Sequence, residues 1–112
     1  MGTQSFVAGI ADVTIANGAT TSRVVDGKYE YADATAINIQ SPTTLPDTVV
    51  IEVSYDGSTF ATLNDGTSDI SVPAAGKARQ YIEMLGTKSF RLKASSNVAA
   101  DRTFKLSKQF TA

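Results

Sequence analysis

The segment from residue 48 to 63 has the most regular alternation of apolar and polar positions in the chain. Its apolar positions form one row, Val49, Ile51, Val53 and Tyr55, and the positions between them form a mostly polar row, Thr48, Val50, Glu52 and Ser54. A period of two is typical of a β-strand with one face turned toward a core. Asp56-Gly57 then supplies a turn dipeptide, and a second β-prone run extends from Thr59 to Leu63. The sequence predicts a β-hairpin here.

Shorter segments repeat this alternation along the rest of the chain. Phe90 and Leu92 are separated by a basic residue, and so are Phe104 and Leu106. About ten short β segments with turns between them indicate an all-β fold, an antiparallel two-sheet β-sandwich or jelly-roll-like domain. At 112 residues the chain is expected to form one domain, residues 1–112. The predicted core residues are Val49, Ile51, Val53, Phe90, Leu92, Phe104 and Leu106.

Three segments are patterned less regularly. The apolar phase changes near Ala11-Asp12, which predicts a bulge, and residues 1–11 are either an N-terminal arm or an edge strand. Residues 74–85 fit helical spacing as well as a short strand, and we favour a strand from Gln80 to Met84. A further short strand is expected from Thr20 to Val25, ending at Asp26-Gly27.

The residue types that most often carry chemistry are scarce in this sequence. It contains no cysteine and no histidine, which removes thiolate and imidazole ligands and the commonest general base. Asp56, Asp65 and Asp69 lie near turns, with a spacing unlike that of a calcium loop. A small glycosidase or lyase, using a pair such as Glu52 and Asp56, is the enzyme alternative. We expect no catalytic residues, no cofactor, no bound metal and no small-molecule substrate.

Charge is distributed unevenly although the net charge is only −1. Residues 1–70 carry nine acidic and two basic residues, whereas residues 71–112 carry eight basic and two acidic residues. Such halves can pair within one molecule or present faces of opposite sign to neighbouring subunits. We favour internal pairing. With a pI of about 5.2 and no apolar run long enough to span a bilayer, we expect neither a nucleic-acid nor a membrane partner.

Several segments together resemble one family of proteins. They are Thr21-Ser22, Val24-Val25-Asp26-Gly27, Ile37-Asn38-Ile39-Gln40-Ser41-Pro42, Val53-Ser54-Tyr55-Asp56-Gly57-Ser58-Thr59-Phe60 and Ser89-Phe90-Arg91-Leu92-Lys93-Ala94-Ser95. In this order they resemble the small β-sandwich virion proteins of tailed bacteriophages, over residues 20–108. The segment with the pattern V-S-x-D-G-x-T-F is the most characteristic part.

The resemblance implies a structural role on the virion. The expected function is that of a capsid decoration, or cement, protein that is made in the host bacterial cytoplasm and binds across major capsid subunits at the capsid surface. It would act there as a homo-oligomer. Candidate subunit contacts are the terminal apolar residues Phe6, Val7, Ile10 and Phe110. The alternative function is a carbohydrate- or receptor-binding module of a phage tail, with Tyr29, Tyr31, Tyr55 and Tyr81 as its candidate aromatic platform.

Overall fold

The structure is a computed structural model that describes residues 4–111. These residues form eight β-strands and one π-helical turn, Gly27–Tyr31. The strands are β1 Ser5–Ile15, β2 Val25–Asp26, β3 Ala34–Gln40, β4 Val49–Ser54, β5 Ala61–Thr62, β6 Ala78–Tyr81, β7 Ser89–Ala94 and β8 Arg102–Thr111. No helix in this part of the chain is long and apolar enough to cross a membrane.

The strands form two four-stranded sheets packed face to face. Sheet A has the order β1-β8-β3-β6 and sheet B the order β2-β7-β4-β5. Every pair of neighbouring strands is antiparallel. The predicted all-β class and antiparallel two-sheet sandwich are therefore confirmed.

The core lies between the inner faces of the two sheets. All seven predicted core residues are buried there, with Ile51, Phe90, Leu92 and Phe104 at 0% exposure. Tyr81 and Met84 are also fully buried and belong to the core, although they were not among the predicted core residues. Alternation therefore identifies the strands that face the core, because inward and outward side chains alternate along a strand.

The predicted hairpin forms from β4 and β5, in which Glu52 lies opposite Thr62. Gly57 adopts a φ of 88°, the left-handed backbone that the turn requires. Tyr55 is the exception to the predicted apolar row, because its side chain is 76% exposed. β4 ends at Ser54, so Tyr55 belongs to the turn and its side chain no longer follows the alternation of the strand.

Other local predictions have mixed outcomes. The bulge is confirmed by a shift of register between Ile10 and Val13. Residues 74–85 contain a strand rather than a helix, as favoured. The strand begins at Ala78, two residues before the predicted start at Gln80, and ends at Tyr81 rather than at Met84. The strand predicted from Thr20 is wrong over most of its length, since β2 begins only at Val25. The π-helical turn that follows β2 was not predicted.

The acidic and basic halves of the sequence meet in ion pairs within the molecule. Glu52 lies 2.8 Å from the Arg91 Nε and 3.8 Å from the Lys93 Nζ. Asp47 lies 2.8 Å from the Arg102 Nε. A fourth pair joins Asp33 to Lys108, again between an early acidic and a late basic residue. Internal pairing, the favoured interpretation of the charge pattern, therefore accounts for four of the late basic residues.

Candidate interaction surface

One end of the sandwich brings together the start of β1, the end of β8 and three connections. On sheet A, Phe6 lies opposite Phe110, which in turn lies opposite Ala34 at the start of β3. On sheet B, Ser89 lies opposite both Asp26 and Ser54, at the ends of β2 and β4. The turn Gly27–Tyr31 connects β2 of sheet B to β3 of sheet A here, and we call this end of the molecule the ribbon end.

Backbone and side-chain hydrogen bonds tie the connections of the ribbon end together. The N–H of Gly27 donates to the carbonyl of Lys88 at 2.8 Å, and the N–H of Lys88 donates to the carbonyl of Ser54 at 2.9 Å. A Cβ at position 27 would lie 2.8 Å from that Lys88 carbonyl oxygen, so only glycine fits this approach. These bonds hold the β2–β3, β4–β5 and β6–β7 connections in fixed relative positions.

The structure brings together two of the four candidate contact residues. The rings of Phe6 and Phe110 stack with their centroids 5.7 Å apart, and Phe6 remains 42% exposed. Val7 alternates to the outer face of sheet A and is 64% exposed. Ile10, in contrast, is 7% exposed and belongs to the core cluster. Of the four candidates, Ile10 therefore packs inside the sandwich, whereas Phe6 and Val7 remain exposed at the ribbon end.

Three further apolar side chains are exposed at the ribbon end. Tyr29 on the π-helical turn is 77% exposed, and Tyr55 in the β4–β5 turn is 76% exposed. Ile82, which directly follows β6, is 64% exposed. The sequence analysis named Tyr29 and Tyr55 only as part of the candidate aromatic platform, and it did not name Ile82. The only signal available was their position beside turns, where an apolar side chain has no sheet face against which to pack.

Two of the four tyrosines of the proposed aromatic platform are inside the molecule. Tyr81 is fully buried, and its hydroxyl donates to the carbonyl of Ser71 at 2.6 Å. Tyr31 is 3% exposed and its hydroxyl lies 3.1 Å from the Thr87 Oγ1. Burial raises the pKa of both hydroxyls. Of the four candidate tyrosines, only Tyr29 and Tyr55 are therefore exposed enough to contact a sugar.

The aspartates considered as metal ligands hold their own turns in shape. The Asp56 Oδ1 accepts hydrogen bonds from the N–H groups of Thr59 at 2.7 Å and Ser58 at 2.8 Å. The Asp65 Oδ1 accepts two equivalent bonds from its own turn, each at 2.8 Å. Among residues 4–111 no group of three or more acidic side chains is placed to hold a metal ion. Glu52 pairs with Arg91 while Asp56 is engaged in the turn, so each carboxylate has its own separate partners.

The hydrogen bonds to Asp56 predict a pH-dependent stability. Backbone donors at Thr59 and Ser58, followed by the Ser54 hydroxyl, hold the pKa of this carboxyl well below its ordinary value. A depressed folded-state pKa contributes stability that is complete above the unfolded pKa of about 4 and is lost as the pH falls through the folded value. Thermal unfolding should therefore show that Asp56→Asn lowers the melting temperature at pH 7 and that this difference shrinks below pH 3. A difference that stays constant from pH 7 to pH 2 would contradict this assignment.

The fold and the ribbon end define the class of this protein: an antiparallel two-sheet β-sandwich whose exposed large apolar side chains collect mainly at one end. No protein-family profile and no curated protein matches the sequence. Among solved structures, the SPBc2 prophage-derived protein YomS is similar over 97% of this chain and 96% of its own, with a TM-score of 0.63 and 7% identity. That likeness shows a shared fold. The capsid asymmetric unit of cyanophage Pam1 is more distant, with a TM-score of 0.45 and 17% identity over 98% of this chain and 86% of the other.

Proposed function

We propose that this protein is a structural component of a tailed-bacteriophage virion, a decoration or cement protein that binds across major capsid subunits and stabilises the shell. The observation that carries the proposal is the ribbon end, whose strands and connections carry five exposed apolar side chains: Phe6, Val7, Tyr29, Tyr55 and Ile82. Exposed apolar side chains grouped in this way are typical of sites that bind other proteins. Aromatic residues are also enriched among those that dominate interface energies.

Two further observations support a virion role. The segments that resemble small phage virion proteins extend over residues 20–108 and include the β4–β5 turn, whose Tyr55 is part of the ribbon end. The fold is shared with a prophage-derived protein. Our proposal includes a position on the capsid surface after synthesis in the host cytoplasm, with the major capsid protein as the partner and several copies on each particle.

The charge distribution agrees with a protein partner rather than a nucleic acid. Arg91, Lys93, Arg102 and Lys108 each pair with an acidic side chain of the same chain. Nucleic-acid binding depends on basic residues that remain available to phosphates. We propose a structural protein without catalytic activity, because the Asp56 carboxylate is engaged by its own turn and the Glu52 carboxylate is engaged by Arg91.

Binding to particles can be tested with variants of the ribbon end. A Phe6→Ser and Tyr55→Ser double variant removes two exposed aromatic side chains from two different elements of this surface. Loss of two interface anchors should weaken binding to particles that lack the protein by about 100-fold, since each anchor contributes at least about 1 to 2 kcal/mol. The amount of protein that sediments with purified particles measures the effect.

The matched control is an Ala99→Ser and Ala100→Ser double variant, because both side chains are exposed in the connection from the end of β7 to the start of β8, at the opposite end of the sandwich. Its binding should equal that of the unmodified protein. Equal binding by all three proteins, with melting temperatures showing that each is folded, would exclude the ribbon end as the capsid contact.

A further inference from the structure

The outer edge of sheet A is formed by a long strand with an open side. β1 extends over eleven residues and pairs on one side with β8, and no described strand lies on its other side. In an antiparallel edge strand every second residue leaves its N–H and C=O without a strand partner. The first six residues of β1, Ser5–Ile10, carry no charge and no proline. We call this segment the open edge.

Proteins usually protect edge strands with charges, prolines, bulges or short length, because an unprotected edge pairs with other chains. The remaining sheet edges of residues 4–111 have such protection. β2 and β5 are only two residues long, and β6 is four residues long and carries Arg79. The open edge is the exception, being long, uncharged and extended.

Beyond Ile10, two features protect the edge of β1 against pairing with another strand. The register of β1 against β8 shifts between Ile10 and Val13, which marks a bulge. At the bulge the Arg23 Nη2 donates to the carbonyl of Ala11 at 2.7 Å, and the same guanidinium pairs with Glu30 at 2.9 Å. A bulge and a bound arginine prevent regular pairing beyond Ile10. A partner strand would therefore add to the open edge alone.

We propose that the open edge pairs with the open edge of a second copy of this chain. The two strands would lie antiparallel about a two-fold axis and join two four-stranded sheets into one sheet of eight strands. An isologous contact of this kind closes after two copies, whereas pairing of β1 with a different edge would continue into an open chain. Because residues 5–10 carry no charge, every antiparallel register opposes neutral side chains.

Self-pairing is favoured over the addition of another described strand for a further reason. The strand that completes an open edge has to be extended, free on one side and about as long as the edge itself. In the described part of the chain, only β1 meets all three conditions. The exposed Val7 side chains on the outer face would then lie beside side chains of the neighbouring strand. This dimer does not depend on the proposed function, since it requires no capsid.

Sedimentation velocity of the full chain over a range of concentrations tests the dimer. Six residues a side is a small contact, so we expect a dissociation constant on the order of 100 µM. Val7→Lys should raise this constant at least about tenfold, because it places two positive charges beside each other near the two-fold axis. Ile82→Lys is the matched control, since Ile82 is also 64% exposed and receives the same charge away from β1.

The control should dimerise as the unmodified protein does. Amide hydrogen exchange gives a second measurement: protection of residues 5–10 should increase with protein concentration, while protection of β5 should not. A protein that remains monomeric at about 1 mM, or an equal loss of dimer in Val7→Lys and Ile82→Lys, would overturn the proposal. A dimer that does not bind particles would overturn only the proposed function.

Discussion

Replacing Phe90 by alanine should destabilise the protein by about 3 to 5 kcal/mol, the range for deleting a fully buried aromatic ring. Phe90 is 0% exposed and lies on β7 between β2 and β4, opposite Val25 and Val53. Its ring packs against Tyr31, with the centroids 5.4 Å apart. The cavity would therefore open between sheet B and the turn that leads to β3. Because small domains are stable by only about 5 to 15 kcal/mol, this loss is large.

Urea denaturation monitored by circular dichroism measures the loss. Phe60→Ala is the appropriate control, because that ring is only half-buried on the outer side of sheet B, with the Arg91 guanidinium 4.1 Å from its centroid. Its removal should cost about 1 kcal/mol. Comparable losses for the two variants would show that Phe90 is not part of the principal core.

The second large effect is expected for the ion pair between Asp47 and Arg102. Only 9% of the Arg102 side chain and 14% of the Asp47 side chain are exposed, and the Nε and Oδ2 atoms are 2.8 Å apart. Asp47→Ala would leave a guanidinium without its partner in a largely dehydrated position, which costs about 3 to 5 kcal/mol. The pair joins the β3–β4 connection to the first residue of β8, so its loss should also loosen that connection.

A double variant separates the loss of the pair from the cost of the orphaned charge. Asp47→Ala combined with Arg102→Met removes both charges, and we expect it to be more stable than Asp47→Ala alone. Glu83→Ala is the control for an exposed pair, because the Arg79 side chain opposite is 48% exposed. That change should cost about 0.5 kcal/mol or less. If Asp47→Ala lowered the free energy of unfolding as little as Glu83→Ala does, the pair between Asp47 and Arg102 would contribute no more to stability than an exposed ion pair.

The strands that alternate strictly were predictable from sequence, and their alternation has a physical cause. Ile51, Phe90 and Phe104 are apolar because they face the space between two sheets, and their neighbours along each strand face outward. Elements held by tertiary contacts were not predictable. The π-helical turn depends on Gly27 approaching the Lys88 carbonyl, a residue 61 positions later, and no local pattern encodes that approach.

The candidate contact surface was predicted only in part. The sequence identified Phe6 and Val7 because they lie outside the best-patterned strands, and both are exposed. It grouped Ile10 with them, but the sheet places Ile10 opposite Leu106, on the face that the core covers. Three separate connections between strands carry the other exposed residues of this end, Tyr29, Tyr55 and Ile82. Their grouping follows from the topology of the two sheets, which residue spacing does not specify.

We propose that this protein binds the capsid shell through its ribbon end. Electron cryomicroscopy of phage particles that carry the protein tests this proposal, because a reconstruction would place each copy relative to the major capsid protein. We predict density for a two-sheet sandwich on the outer surface of the shell, with the ribbon end, including Tyr55 and Ile82, turned toward the capsid subunits. Density for the sandwich on the tail, or on the shell with its ribbon end turned toward solvent, would show that the ribbon end does not bind the capsid.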